Sequence, residues 1–220
     1  MSRLNQQWRL RSKPQGEISR DNFTWAEEPS AEPAEGELLV RTVYLSIDPV
    51  QRYWLSEKPT FGPPTIIGQV MPGRIWGVVE ESNSPDYAPG EWVAGLGGWQ
   101  SYCLLQAADV ERIPDWPDIP LLAHTTLFSM QALAAYFGLL EIGRPQAGET
   151  VVVSAAAGGV GSIVVQIARI KGCRVVAIAG SAAKCRWLVE ELGADIAINY
   201  KSPVFERELD AACPAGIDVF

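Results

Sequence analysis

Thr150-Val151-Val152-Val153-Ser154-Ala155-Ala156-Ala157-Gly158-Gly159-Val160-Gly161 joins a β-branched run to a turn of small residues. Residues 150–154 read as a short buried strand, and residues 162–171 beyond the turn read as a helix. A glycine-rich turn between strand and helix is the context a dinucleotide fingerprint needs. Gly158 lets the backbone approach a pyrophosphate, and Gly161 lets the helix pack closely on its strand. The helix start adds unpaired N–H groups and a partial positive charge. Ala156 stands where the usual G-x-G-x-x-G has its first glycine, and a tight turn in any α/β protein is the competing reading.

What surrounds the turn favours the fingerprint. Residues 174–178 (RVVAI) predict a second strand, 182–192 a helix, 196–198 a third strand and 203–212 a further helix. Residues 217–220 start a fourth strand, and residues 121–140 upstream read as one apolar helix. Strands and helices alternating at this spacing mean βαβ units and a parallel sheet. In a doubly wound order the fourth strand lies beside the first. A chain stopping there exposes an apolar edge, so the isolated chain is expected to be marginal or self-associating.

Before residue 120 the texture differs. Short alternating runs at residues 37–45, 74–80, 91–94 and 101–105 are separated by Gly, Pro, Asn and Asp. They predict half-buried strands of a β-barrel or sandwich. Most of the eight tryptophans lie here, suited to core and barrel-mouth packing. The expected division is residues 1–122, an all-β lobe, and residues 123–220, an α/β lobe.

Composition narrows the classes. The 220 residues carry a net charge of −8, with 18 Lys and Arg against 26 Asp and Glu. An acidic surface without a basic patch argues against nucleic acid as a partner. No apolar run approaches the ~18 residues of a membrane span. The opening MSRLNQQWRLRSKP lacks the apolar centre of a signal peptide. Four cysteines without a C-x-x-C pair, and one histidine, suggest neither a zinc site nor disulfides, but reduced thiols in a cytoplasmic protein.

The end of the second strand selects the cofactor. An NAD-binding chain places Asp or Glu about 20 residues after the fingerprint, for the ribose 2′-hydroxyl. Here the residues are Ile178-Ala179-Gly180-Ser181-Ala182-Ala183-Lys184, with no carboxylate. Ser181 and Lys184 can donate to a 2′-phosphate, so NADPH is expected. A charge-assisted hydrogen bond contributes on the order of 1.5–3 kcal/mol, roughly tenfold to hundredfold in affinity. The competing reading of Lys184 is an ordinary exposed helix lysine.

With A-A-x-G-x-V-G at 155–161, A-G-S-x-x-K-C at 179–185 and L-G-A-D-x-A-I-N-Y-K at 192–201, the chain resembles the medium-chain dehydrogenase/reductase superfamily. Within it, the chain is most similar to the zinc-independent, NADPH-dependent ene-reductases of the prostaglandin, alkenal and curcumin reductase type. Val43-Tyr44-Leu45-Ser46-Ile47-Asp48-Pro49 and Gly98-Trp99-Gln100-Ser101-Tyr102 carry the resemblance into the first half. It implies a GroES-like barrel followed by a partial Rossmann domain. Gly158, Gly159, Val160 and Gly161 match the pyrophosphate loop, Lys184 the 2′-phosphate lysine, and Tyr200 a tyrosine at the adenosine end. Tyr200 as a cap on the sheet edge is the alternative. Where zinc-dependent relatives carry Cys and G-H-E, this chain has Ser46-Ile47-Asp48 and Ile67-Gly68-Gln69-Val70, so no metal is expected.

The resemblance further implies an enone or enal substrate, cytoplasmic location and a homodimer for the full-length protein. Trp99 and Phe61 are candidate apolar pocket walls, with packing as the other reading. Tyr53 and Tyr136 are speculative proton or hydrogen-bond donors, Asp48 reads as a turn residue, and no catalytic residue is assigned. Three departures touch the reactive end. The chain stops at Phe220 where the family continues, Asp48-Pro49-Val50-Gln51-Arg52 replaces D-P-Y-M-R, and Met130-Gln131-Ala132-Leu133-Ala134-Ala135-Tyr136 replaces M-P-G-x-T-A-Y. An inactive or non-catalytic NADPH-binding paralogue and a truncated fragment therefore stand beside the enzyme reading. A zinc alcohol dehydrogenase is more remote.

Overall fold

The computed structural model describes residues 3–57, 62 and 64–220. The chain divides into two compact units between Asp118 and Ile119.

The first unit holds strands β1 (Leu4–Leu10), β2 (Phe23–Pro29) and β3 (Glu37–Leu45), then a short helix α1 (Val50–Trp54). Strands β4 (Ile75–Ser82), β5 (Trp92–Gly95), β6 (Tyr102–Gln106) and β7 (Glu111–Arg112) follow. β1 and β2 pair antiparallel, and the other five form an antiparallel sheet in the order β6-β3-β4-β5-β7. Leu38, Val40, Ile75, Val79, Val93 and Cys103 point inward from four of these strands and form one core.

β1 and β2 escape the hydrophobic alternation test because β1 buries polar residues. Asn5 and Gln7 are both buried, and both donate side-chain amides to Gln100 Oε1, at 3.0 and 2.9 Å. Asn5 Oδ1 in return accepts from the Tyr102 N–H at 3.0 Å. Buried polar groups are tolerated when each finds a partner.

Gln51, on α1, replaces an apolar residue of the pattern the chain resembles, and it too is buried. Its amide donates to the carbonyls of Ser46 and Pro72, both at 3.2 Å, while its Oε1 accepts from Asp48 N–H at 3.0 Å. The substitution ties α1 to the loop before it.

The second unit begins with α2 (Leu121–Leu127) and α3 (Met130–Phe137), followed by a π-helical turn over Gly138–Gly143. The single helix expected over residues 121–140 is therefore broken. Ser129 is extended and caps α3, its Oγ accepting from the Ala132 N–H at 3.2 Å, and the axis bends by 55°. The local cap offered by Ser129 outcompetes continuation of the helix. No single helix among the described residues is long and apolar enough to cross a membrane.

Then follow β8 (Thr150–Val153), α4 (Gly159–Ile170), β9 (Arg174–Ala179), α5 (Ala182–Glu190), β10 (Ile196–Asn199) and α6 (Phe205–Ala212). The three strands are parallel, in the order β10-β9-β8. Their apolar runs are continuous because both faces are covered. Val151, Val153, Val175 and Ala177 pack with Val165 and Ala168 of α4 on one side. Val152, Val176, Ile178 and Ile198 pack with Ala212 and Leu209 of α6 on the other. Residues 217–220 contribute one parallel bridge, Val219 to Val151, with Val152 N–H donating to Val219 O at 2.9 Å. The fourth strand thus begins beside β8. The molecule is an all-β lobe followed by the first part of a doubly wound, Rossmann-type sheet.

Candidate functional site

β8 ends at Val153 and α4 begins at Gly159, three residues earlier than the sequence suggests. The turn between them is anchored and tight. Ala156 N–H donates to Ile178 O at 2.9 Å, and Gly158 N–H donates to Ala155 O at 2.8 Å. Ala155 occupies the left-handed region with φ 45°, one of two described non-glycine residues to do so. The first N–H groups of a helix have no intrahelical acceptor. In α4 no side chain caps them, because the N-cap is Gly158. Gly158, Gly159 and Val160 are exposed, and Gly161 is buried against the turn.

A cleft of about 480 Å3 opens on this turn, bounded by the glycines, by Ala134 and Ala135 of α3, and by Gly138. Gln131 lies alongside as well: a β-carbon on Gly159 would meet its Cγ at 3.3 Å. An exposed ring of main-chain donors at the carboxyl end of a parallel strand, with no side chain closing over it, fits a pyrophosphate.

The other candidates gather at the ends of β9 and β10, on the same end of the sheet. Ser181 is the N-cap of α5, and its Oγ accepts from the Lys184 N–H at 3.3 Å. Its O–H remains available as a donor. Lys184 is exposed one turn into the helix. Tyr200 follows β10, its N–H donating to Ala179 O at 3.0 Å and its ring lying over Gly180. Ser181 and Tyr200 thus flank a single glycine, with Lys184 three residues further along α5.

Trp99 lies in the first unit. It stacks on Phe23 with centroids 5.5 Å apart and packs against Leu10, Leu55 and Met71. Its Nε1 is buried without a hydrogen-bond partner among the described residues. Phe61 lies outside the described residues. Tyr53 on α1 and Tyr136 on α3 are half exposed, Tyr136 meeting Phe137 edge-on at 5.3 Å. Sequence reading missed the left-handed Ala155, the contact of Gln131 with Gly159, and the contact of Tyr200 with Gly180. Only Gly180 left a visible signal, as a glycine directly before the N-cap.

Two family descriptions match the chain: an N-terminal domain of oxidoreductases over residues 6–113, and a zinc-binding dehydrogenase domain over residues 159–220. The residues present do not fit zinc. Among those described, no three His, Cys, Asp or Glu side chains converge.

The chain is 45% identical over 216 residues to the NADPH-dependent curcumin reductase of Escherichia coli, covering 98% of this chain and 62% of that protein. It is 39% identical over 189 residues to bovine prostaglandin reductase 1, covering 84% of this chain and 55% of that protein. The crystal structure of CurA from Vibrio vulnificus in complex with NADPH superposes with a TM-score of 0.87 at 38% identity. That match covers 96% of this chain and 63% of the CurA chain. The chain spans less than two thirds of the length of these relatives. With both lobes matched in order and the glycine turn in place, the chain belongs to the medium-chain dehydrogenase/reductase superfamily, alongside the curcumin and prostaglandin reductases.

Proposed function

We propose that the protein is an NADPH-dependent oxidoreductase that reduces the C=C bond of α,β-unsaturated ketones or aldehydes. The observation that carries this reading is the pair of phosphate subsites at one end of the parallel sheet. The open N-terminus of α4 suits a pyrophosphate, and the carboxylate-free turn with Ser181 and Lys184 suits a 2′-phosphate. The likeness to proteins named as NADPH-dependent supports it.

In this reading the N–H groups of Gly159, Val160 and Gly161 bind the pyrophosphate, and Gly158 leaves the approach open. Lys184 and the Ser181 hydroxyl donate to the 2′-phosphate, while Tyr200 flanks the adenosine end. Bound NADPH would supply a hydride to the β-carbon of the enone. Ala134, Ala135 and Gly138 keep the wall of the cleft low beside the turn. Trp99 and Phe61 are proposed as apolar walls for the substrate. Residues 1–122 would carry the substrate side and 123–220 the cofactor side of a cytoplasmic, homodimeric whole.

A non-catalytic NADPH-binding protein is the second reading. Gln131, Ala132 and Ala134 stand where the resembled pattern has Pro, Gly and Thr, and two of them favour it: Ala134 lines the cleft with Ala135 and Gly138, and Gln131 lies against Gly159 of the turn. Fluorescence titration with NADPH and NADH tests binding, and loss of 340 nm absorbance upon adding an enone tests turnover. Tight NADPH binding with enone-dependent oxidation supports the enzyme. Binding without oxidation supports the second reading, and equal affinity for both nucleotides refutes both.

A further inference from the structure

β9 ends at Ala179 and α5 begins at Ala182. Between them Gly180 lies outside the left-handed region, so the main chain there does not call for glycine. Side-chain space does. A β-carbon on residue 180 would stand 2.9 Å from Cε1 of Tyr200, 3.0 Å from its hydroxyl oxygen and 3.1 Å from its Cζ. Contacts that short force something to move. The Tyr200 main chain is fixed by its bond to Ala179 O, and the Lys201 ammonium stands 5.8 Å from the ring centroid. The ring itself is 55% exposed, so it is not there to fill a core.

We infer that Gly180 and Tyr200 act as a steric lock on cofactor choice: the phenol stands in the volume that any side chain on residue 180 would need. An acidic side chain at this strand end is what holds the 2′-hydroxyl of an unphosphorylated ribose. A side chain at residue 180 has to displace the Tyr200 ring, and while the ring keeps its place the turn stays open for a 2′-phosphate beside Ser181 and Lys184. The lock rests on the NADPH reading above and adds a specificity-determining pair to it. Tyr200 here discriminates through the volume it denies to residue 180, separately from any contact its hydroxyl makes.

The test is a double-mutant cycle on Gly180→Asp and Tyr200→Ala, with Gly180→Ala as a milder probe, read by nucleotide titration and by thermal denaturation. Gly180→Asp alone is expected to lose NADPH binding without gaining NADH. Combined with Tyr200→Ala, it is expected to bind NADH about tenfold or more tightly than the single variant. Gly180→Ala is expected to lower the melting temperature in the parent and to leave it unchanged in the Tyr200→Ala background. A Gly180→Ala variant that folds only in that background supports the lock equally. Additive melting shifts, or a Gly180→Asp variant that alone binds NADH as well as the double variant, would overturn it. The melting arm needs no nucleotide and judges the steric contact by itself, so the two failures are distinguishable: additive melting shifts overturn the contact, whereas coupled shifts in a parent that shows no preference for NADPH overturn its role in cofactor choice together with the cofactor reading.

Discussion

Gly161, in the first turn of α4, packs so closely on Ala155 that a β-carbon on it would stand 2.5 Å from the Ala155 carbonyl oxygen and 2.7 Å from the Ala156 Cα. That contact sets the distance between helix and turn, and with it the position of the donor ring. Gly161→Ala is expected to destabilise the protein by about 1–3 kcal/mol and to abolish nucleotide binding. Ala155→Gly should do the opposite. Relief of the left-handed alanine is worth about 1–2 kcal/mol, and the added unfolded-state freedom costs about 0.5–1 kcal/mol. Urea midpoints of the two variants, moving in opposite directions, would check the pair.

Lys184 stands exposed on α5, and the proposed function assigns its charge to the 2′-phosphate. Lys184→Ala should weaken NADPH roughly tenfold to hundredfold and leave NADH unchanged. Parallel titrations with the two nucleotides decide it, and an equal loss for both would assign Lys184 to the helix surface.

Ser181 caps α5, and its proposed contact with a 2′-phosphate can be tested apart from the cap. Ser181→Ala removes the cap on Lys184 N–H and should cost about 1 kcal/mol of stability. Ser181→Asp keeps a capping oxygen and should hold the melting temperature, yet its carboxylate should repel the 2′-phosphate. Calorimetry of both variants beside an NADPH titration distinguishes cap from ligand.

Cys103, on β6 opposite Val40 of β3, has its Sγ 3.7 Å from Val40 O, and burial raises its pKa from the usual 9.0 to about 12. The unfolded thiol therefore loses its proton first. Its contribution to stability is complete below about pH 9 and is lost as pH rises toward about 12, at about 1.4 kcal/mol per pH unit. Urea unfolding between pH 8 and 11 should show a steeper alkaline loss in the parent than in Cys103→Val.

Gln51→Leu leaves the carbonyls of Ser46 and Pro72 and the N–H of Asp48 short of a partner at a buried site. The expected cost is about 1–3 kcal/mol. Gln51→Glu, which keeps only the acceptor, should be at least as costly. Chemical denaturation is the measurement.

The parallel sheet and its phosphate turn are legible in the amino-acid order alone. A continuous β-branched run such as Val151–Val153 suits burial on both faces, and glycines between strand and helix permit only a few backbone paths. The placement of Ser181 and Lys184 at the start of α5 is legible as well, since both lie within a few residues of the end of β9. The first unit is readable where alternation is apolar, as in β3 and β4. It is silent at β1, whose buried face is Asn5 and Gln7. Periodicity detects hydrophobicity, and a polar residue satisfied by Gln100 more than 90 positions away leaves no local trace.

Local order in the chain thus determined the strand–helix alternation and the glycine turn between β8 and α4, because each depends on residues within about a dozen positions of one another. Tertiary structure alone decided the break at Ser129, the left-handed Ala155 and the meeting of Tyr200 with Gly180. The first is a competition between two local hydrogen-bond schemes that packing resolves. The others depend on how closely separate segments approach. A ring standing 2.9 Å from where a β-carbon on a glycine 20 residues earlier would lie gets there only once the sheet has brought two strand ends side by side.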